Sequence, residues 1–186
     1  MNEALQNIYR RRSVRKYTEE PIKKEELMTI LEAGRMAPVG MNAQSWRFTV
    51  VQNKDLIEKI NTALKAEIVK AGIPGMSEAA KKTEMSIFYH AQTLIIVSDD
   101  ASKSTYQYDG TLALGTMFLA AASIGIGSCW THVLSRMMDY ESCKDLVKEL
   151  GIPEGHKIVC GASFGYPDGD FPKAPDRKDE VFHFIK

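Results

Sequence analysis

The sequence predicts one domain that mixes helices and strands, of the α/β or α+β class. Amphipathic stripes at helical spacing alternate irregularly with about four short, β-branched or apolar runs. The chain has 186 residues, of which 44% are hydrophobic, so one sizeable core can form without disulfides or a structural metal. No internal repeat or low-complexity tract divides it, and we therefore expect a single domain over residues 1–186.

The N-terminal half predicts three helices and one strand. The first helical stripe runs into the basic turn Arg10–Lys16. The second ends before Pro38, because proline disfavours helical geometry in the preceding residue. The third ends at Gly72–Gly75, and the polar stretch Ser77–Glu84 that follows predicts an irregular loop. Phe48–Val51 is aromatic and β-branched and predicts a strand. The helical stripes are Ala4–Tyr9, Leu27–Gly34 and Ile57–Ile68.

The C-terminal half predicts three strands, two helices and an irregular tail. The long helix Asp109–Ile124 lies in a stretch without charged residues, as is typical of a central core helix. Gly125–Gly127 ends it. The tail Asp168–Lys178 is rich in proline and charge, and the apolar end Val181–Ile185 is expected to pack on another surface, such as a second subunit. The remaining elements are strands at Leu94–Val97, Cys129–Val133 and Lys157–Ser163 and a helix at Glu141–Leu150.

Charge and cysteine content exclude several protein classes. Lys plus Arg number 24 and Asp plus Glu 24, which argues against a protein that coats nucleic acid or anionic membrane over its whole surface. Cys129, Cys143 and Cys160 form no C-x-x-C pair, so neither a disulfide framework nor a cysteine-rich metal site is expected. The uncharged stretch Gly110–Thr131 is broken by glycine and serine and lacks basic flanks, which argues against a membrane span. With no signal-peptide core near Met1, we expect a cytoplasmic protein.

Arg10–Lys16 places five cations in seven residues. Clustered guanidinium groups repel one another, and a multivalent anion such as a phosphate offsets that cost. The Ser13 hydroxyl could serve as a further donor. The alternative is a solvated basic turn.

Three other segments could bind a ligand. The loop Pro38–Gln44 carries two amides, Asn42 and Gln44, which can read a ring edge that has both a donor and an acceptor, or can merely satisfy backbone groups. Gly125 and Gly127 would let backbone N–H groups approach a flat ligand, or would form a helix C-cap. In the tail, Lys173 and Arg177 are either anion ligands or part of a solvated linker.

The sequence shows no convincing set of catalytic acid and base residues. The four histidines lack the i, i+4 spacing of helix-borne zinc ligands, so no metal site is expected. Cys129 and His132 are close in sequence, but a cysteine in an apolar strand favours a core role. G-x-S-x-G, Walker and Rossmann glycine motifs are absent. Anion ligands without acid–base residues are typical of a protein whose cofactor does the chemistry.

Taken in order, four segments resemble the nitroreductase family of FMN-dependent oxidoreductases. The resemblance implies an α+β sandwich whose central, mostly antiparallel sheet is flanked by helices. It also implies an obligate homodimer with FMN at the interface and an exchanged C-terminal tail. The segments are Arg11-Arg-Ser-Val-Arg15, Ala37-Pro-Val-Gly-Met-Asn-Ala-Gln-Ser-Trp46, Gly125-Ile-Gly-Ser-Cys-Trp130, and Gly165-Tyr-Pro167 followed by Lys173 and Arg177.

The resemblance implies roles for the matching residues. Arg11, Ser13 and either Lys173 or Arg177 would hold the FMN phosphate, with Arg12 beside them. Arg15 would face N1 and O2 of the flavin, where negative charge develops on reduction. A backbone N–H in Gly125, Ile126 or Gly127 would face N5. The ring would be lined, in part from the other subunit, by Pro38, Val39, Gly40, Asn42 and Gln44.

The implied reaction is ping-pong hydride transfer from NAD(P)H through FMN to nitroaromatics, quinones or related acceptors. A dehalogenase or a flavin-consuming enzyme of the same fold is an alternative, and a non-catalytic nucleic-acid or flavin binder is another. The chain departs from the family pattern at Ser45, at Val39–Gly40 and at Ile87–His90, where some members supply a lysine near the flavin pyrimidine. We expect substrate specificity to lie in Ala71–Ser86.

Overall fold

A computed structural model describes residues 1–186. Its four strands form one antiparallel sheet in the order β1-β2-β4-β3. The apolar run predicted at Leu94–Val97 lies in β2, a central strand that is buried on both faces. Together with the helices described next, this sheet confirms the α+β class. The strands are β1 (Arg47–Val51), β2 (Thr93–Asp100), β3 (Gly127–Trp130) and β4 (His156–Gly165).

Helices cover both faces of the sheet. Alternate side chains of β2 point to opposite faces, so Leu94 and Ile96 join a core under α3, while Ile95 and Val97 join a core under α2 and α5. The sandwich architecture follows from these two cores. The α-helices are α1 (Glu3–Arg10), α2 (Lys24–Arg35), α3 (Lys54–Lys70), α4 (Met76–Ala80), α5 (Tyr106–Ser123) and α6 (Lys144–Glu149), and 3₁₀-helices span Gly40–Asn42, His132–Asp139 and Glu141–Cys143.

The strand predicted at Cys129–Val133 is shorter than expected. β3 ends at Trp130, and the 3₁₀-helix His132–Asp139 begins directly after it. That helix packs on β4 through the fully buried Leu134. Gly161 of β4 permits this contact, because a Cβ there would lie 2.6 Å from Leu134 Cδ1. The strand therefore ends where the packing of Leu134 on β4 favours a 3₁₀-helix.

The segment predicted as an irregular loop after Gly72 contains α4 and is tied to α3. The Ser77 hydroxyl donates to the Ile68 carbonyl at 2.7 Å. Lys65 Nζ donates to the carbonyls of Lys82 and Met85 at 2.7 and 2.9 Å. The Ile87 N–H donates to Asn61 Oδ1 at 3.0 Å. These side-chain bonds fix the segment on α3, and it contains a helical turn, so the prediction of an irregular loop is wrong here.

α5 is not buried on all sides. It buries one face through residues such as Leu114 and Met117, but Tyr108 and Leu112 on another face are exposed. None of the helices combines the length and hydropathy that crossing a membrane requires. α5 therefore has an exposed face that carries no charge after Asp109, and burial within one chain does not explain this.

Candidate functional site

The basic segment Arg10–Tyr17 lies against the sheet edge formed by β3 and the end of β4. The Val14 N–H donates to the Ser128 carbonyl at 2.9 Å, and Ser13 and Ser128 form a parallel bridge. Gly127 permits this approach, because a Cβ there would lie 2.8 Å from Val14 Cβ. Beyond the chain's turn at Tyr17, the Thr18 N–H donates to the Tyr166 carbonyl at 2.9 Å. Backbone pairing thus fixes the segment in place.

The segment carries positive charge without compensating carboxylates. Arg10, Arg11, Arg12 and Arg15 have no carboxylate oxygen within 4.0 Å, whereas Lys16 pairs with Asp168 at 2.6 Å. Arg10 instead donates to the Ala122 carbonyl. Arg12 donates through Nη1 to the Arg11 carbonyl, but its buried Nε has no partner. A buried donor without an acceptor in an uncompensated cationic cluster is what an anion would satisfy.

Four clefts border this segment or Trp130, and the fourth, of about 710 Å³, lies between the start of α5, the helix His132–Asp139 and β4. The first, of about 330 Å³, places Arg11 and Ser13 opposite one face of α5. The second, of about 230 Å³, lies between Ser13–Lys16 and the start of the tail. The third, of about 430 Å³, is mostly apolar and shares Trp130 with the first. Its walls include Ile68, Ala71, Ile73, Met76, Met85, Ser86, Ile87, Tyr89, Thr131, His132, Val133, Arg136 and Tyr140.

The third cleft contains two free backbone donors that the sequence did not indicate. The first hydrogen bond of the 3₁₀-helix runs from the Leu134 N–H to the Thr131 carbonyl at 3.1 Å. The N–H groups of His132 and Val133 therefore precede the hydrogen-bonded turns and have no acceptor. Thr131 makes no side-chain cap bond, so the start of this helix lacks a recognisable sequence signature.

Gly125 and Ile126 end α5 instead of facing a cleft. The Gly125 N–H donates to the Ala122 carbonyl at 3.3 Å, and the Ile126 N–H donates to the Ala121 carbonyl at 2.8 Å. With Gly125 at φ 81°, this is the Schellman arrangement of a helix C-terminus. The prediction that the N–H of Gly125 or Ile126 faces a flavin N5 is therefore wrong, because both donors are already used. Gly127 instead serves the close approach of Val14.

The loop Pro38–Gln44 lies near the start of α5. Buried Asp109 accepts from the Gly40 N–H at 2.9 Å and from the Thr105 hydroxyl at 2.7 Å. Met41, Asn42 and Gln44 all have positive φ, and the Gln44 amide donates to Asn42 Oδ1 at 2.8 Å. Within one chain, none of these predicted ring-lining residues reaches the four clefts: Pro38, Val39, Gly40, Asn42 and Gln44.

The predicted tail ligands are also not joined to the basic segment within one chain. Lys173 and Arg177 are exposed and have no carboxylate partner within 4.0 Å. The chain forms no helix or strand after Gly165. The structure thus brings together Arg11, Arg12, Ser13, Arg15 and Gly127, and leaves the loop and tail residues apart from them.

Burial keeps the other polar groups beside the segment neutral. Burial raises the pKa of the Cys129 thiol, and nearby Arg15 only partly opposes that change. Burial also raises the pKa of the Tyr17 hydroxyl well above its usual range. The neighbouring Tyr89 side chain is the main cause that raises the pKa of Arg15. The guanidinium groups therefore carry the charge here, and Cys129 is not activated as a nucleophile.

The geometry agrees with comparisons to known proteins. The model of the nitroreductase family matches residues 8–166. The chain belongs to the nitroreductase family. A Bacteroides fragilis nitroreductase, whose crystal structure holds bound FMN, is 35% identical with a TM-score of 0.92, covering 100% of both chains.

Two further members of the family differ in their names. An Archaeoglobus fulgidus protein, named as a candidate NADH dehydrogenase/NAD(P)H nitroreductase, is 35% identical over 184 residues, covering 95% of this chain and 94% of its own. An iodotyrosine deiodinase of Thermotoga neapolitana is 28% identical over 173 residues, covering 89% of each chain. Relatives of this chain thus include proteins named as reductases and one named as a deiodinase.

Proposed function

We propose that this protein is an FMN-dependent oxidoreductase that takes electrons from NAD(P)H and reduces nitroaromatics, quinones or related acceptors. The observation that carries the proposal is the cluster Arg11, Arg12 and Arg15, held without carboxylate partners beside clefts that have apolar walls. The family relatives support both the cofactor and the electron donor. When bound, FMN supplies the hydride-accepting chemistry that no side chain of the clefts offers.

The residues present fit FMN. Arg11 and Ser13 can donate to a phosphate in the first cleft, and the orphaned Nε of Arg12 lies within the same segment. The second cleft brings the start of the tail to Ser13 and Arg15, so that Lys173 or Arg177 of one chain could complete the phosphate site. The spare donor in Arg12 is an observation that a solvated basic turn would leave unexplained.

The residues around Trp130 suit the flavin ring of FMN. Arg15 would stabilise negative charge at the pyrimidine edge, because a fixed cation acts most strongly where charge develops. In place of Gly125 and Ile126, the free N–H groups of His132 and Val133 are the donors that we propose for the opposite part of the ring. Aromatic and apolar walls exclude water from the remaining surface.

A second activity is supported by the deiodinase relative. Reductive removal of halide from an aromatic ring would use the same cofactor and the same apolar cleft. Acceptor preference separates the two activities, since a dehalogenase would turn over halogenated phenols in preference to quinones.

The purified protein should be yellow and contain an equimolar amount of FMN. NADH or NADPH should be oxidised in the presence of a nitroaromatic or a quinone, with parallel double-reciprocal plots that indicate a ping-pong mechanism. A halogenated phenol assayed in parallel identifies the dehalogenase alternative. A colourless protein that does not bind added FMN would contradict the proposed function.

We also propose that the functional unit is a homodimer. Tyr108 and Leu112 on α5 are 69% and 47% exposed. The helix α1, which bonds to the C-terminal part of α5 at Leu119 and Ala122, exposes Leu5, Ile8 and Tyr9. An uncharged helix face of this kind is typical of a subunit interface. A partner would also bring its Pro38–Gln44 loop to the clefts that this loop does not reach within one chain.

Removing the apolar end of the tail should weaken this dimer. Phe184 and Ile185 are 78% and 90% exposed in one chain, so their burial against a partner would stabilise association. Deletion of Val181–Lys186 should increase the dimer dissociation constant at least tenfold, as measured by analytical ultracentrifugation over a dilution series. His183→Ala in the same segment is the control. Equal dissociation constants for the full and shortened chains would exclude the tail from the interface.

A further inference from the structure

The turn Ser86–Ala91 holds two non-glycine residues in a left-handed conformation. Tyr89 and His90 have φ values of 56° and 58°, which side chains with a Cβ rarely adopt. Ser86 supports the turn, because its hydroxyl oxygen accepts the N–H groups of Phe88 and His90, each at 3.2 Å. The Tyr89 N–H donates to the Ser86 carbonyl at 3.1 Å. Strain that is reinforced in this way indicates a conformation maintained for a purpose.

The result of the turn is the position of the Tyr89 ring. The guanidinium carbon of Arg15 lies 5.8 Å from the ring centroid, within the range of a cation–π contact. The ring also packs against the small cluster of Val14, Tyr17 and Ala91, which restricts its movement. Tyr89, on the wall of the third cleft, therefore presents a fixed aromatic face to Arg15, which lines the neighbouring second cleft.

An aromatic face and a carboxylate have different effects on the positive charge of Arg15. A carboxylate would hold Arg15 by an ion pair and neutralise it, but no carboxylate oxygen lies within 4.0 Å of this guanidinium. A ring orients the guanidinium through its quadrupole and leaves the net positive charge in place. Arg15 is thus restrained while it keeps its full charge for a ligand.

We propose that Tyr89 is a positioning residue that holds the Arg15 guanidinium between the second and third clefts without neutralising it and thereby favours the reduced form of bound FMN. This inference rests on the proposed function. Tyr89 acts through Arg15, and we assign the larger effect to the ring face and a smaller one to the hydroxyl. The strained turn is the device that brings the ring to Arg15.

The test compares the two-electron reduction potential of FMN bound to the wild-type protein and to Tyr89→Leu and Tyr89→Phe. Leucine removes the ring, so the ratio of affinities for reduced and oxidised FMN should fall about tenfold, which corresponds to a potential lower by about 30 mV. Phenylalanine keeps the ring and should stay close to the wild type. Tyr140→Leu, in the same cleft, controls for a general loss of apolar surface.

A wild-type potential in Tyr89→Leu, or an equal decrease in Tyr89→Phe, would overturn the inference. If Tyr89→Leu does not fold, Ser86→Ala relaxes the turn but keeps the tyrosine, and its potential should fall in the same direction. An unchanged potential there also contradicts the proposal.

A measurement on the protein without added flavin separates this inference from the proposed function. Nitrogen-15 NMR of arginine Nε–H groups should show slow exchange for Arg15 in the wild type and in Tyr89→Phe, and faster exchange in Tyr89→Leu. Equal exchange in all three overturns the role of Tyr89. Failure to bind FMN, with this difference intact, would contradict only the proposed function.

Discussion

Replacing Gly127 with valine is expected to lower the free energy of unfolding by about 3 kcal/mol, since overpacking a tight contact costs this much. A Cβ at this position would lie 2.8 Å from Val14 Cβ and 2.9 Å from both of its methyl carbons. Val14 is buried and β-branched, so it cannot rotate away without moving the basic segment. For a chain of this length, a decrease in melting temperature of roughly 10 °C should follow.

The same substitution should weaken FMN binding, because Ser13 and Arg15 flank the displaced Val14. Gly115→Ala is the stability control, as nothing lies within 4 Å of a Cβ there. The double variant Val14→Ala with Gly127→Ala should be less destabilised than the sum of the two single variants, because alanine removes the two methyl carbons at 2.9 Å, while the Cβ at 2.8 Å remains. Additive effects in this cycle would show that the contact is not tight.

Arg11→Ala is expected to weaken FMN binding by about 2 kcal/mol, or roughly thirtyfold, the scale of a hydrogen bond to a charged group. Arg11 lines the first cleft beside Ser13 and has no carboxylate partner that would compete with a phosphate. The dissociation constant can be measured by quenching of flavin fluorescence on titration with the apoprotein.

A control must remove one positive charge elsewhere. Lys148→Ala does so on α6, where the lysine is exposed and lies 3.4 Å from Asp145. Riboflavin, which lacks the phosphate, should bind Arg11→Ala and the wild type equally well. If riboflavin binding falls as much as FMN binding, Arg11 does not act on the phosphate.

Periodicity in the sequence predicts the elements whose neighbours are local or uniformly apolar. The stripe Ile57–Ile68 lies within α3, and the run Leu94–Val97 lies within β2, because each element buries a regular pattern. The 3₁₀-helix His132–Asp139 is missed since its packing depends on a glycine in another strand, Gly161. Long-range contacts of this kind leave no periodic trace in the segment itself.

The same distinction between local and long-range features applies to the residues of the candidate site. The cation cluster is visible in the sequence because Arg11, Arg12 and Arg15 are close along the chain. The role of Gly125 is misjudged, since a C-cap glycine and a ligand-facing glycine have the same sequence signature. Tyr89 is missed because neither the strained turn nor its contact with Arg15 leaves a recognisable mark among the residues Ile87–His90.

The pairing of the basic segment with distant parts of the chain has a consequence for the order of folding. Arg10 and its acceptor Ala122 are 112 residues apart, and the Tyr17 hydroxyl contacts the Ser163 carbonyl across 146 residues. Closing such long loops costs conformational entropy and is slow. The contacts that offset this cost form only after β3 and β4 have paired. The arginines that we propose bind the phosphate therefore take their places late, and we expect a newly made chain to acquire affinity for an anion only when its last strand has joined the sheet.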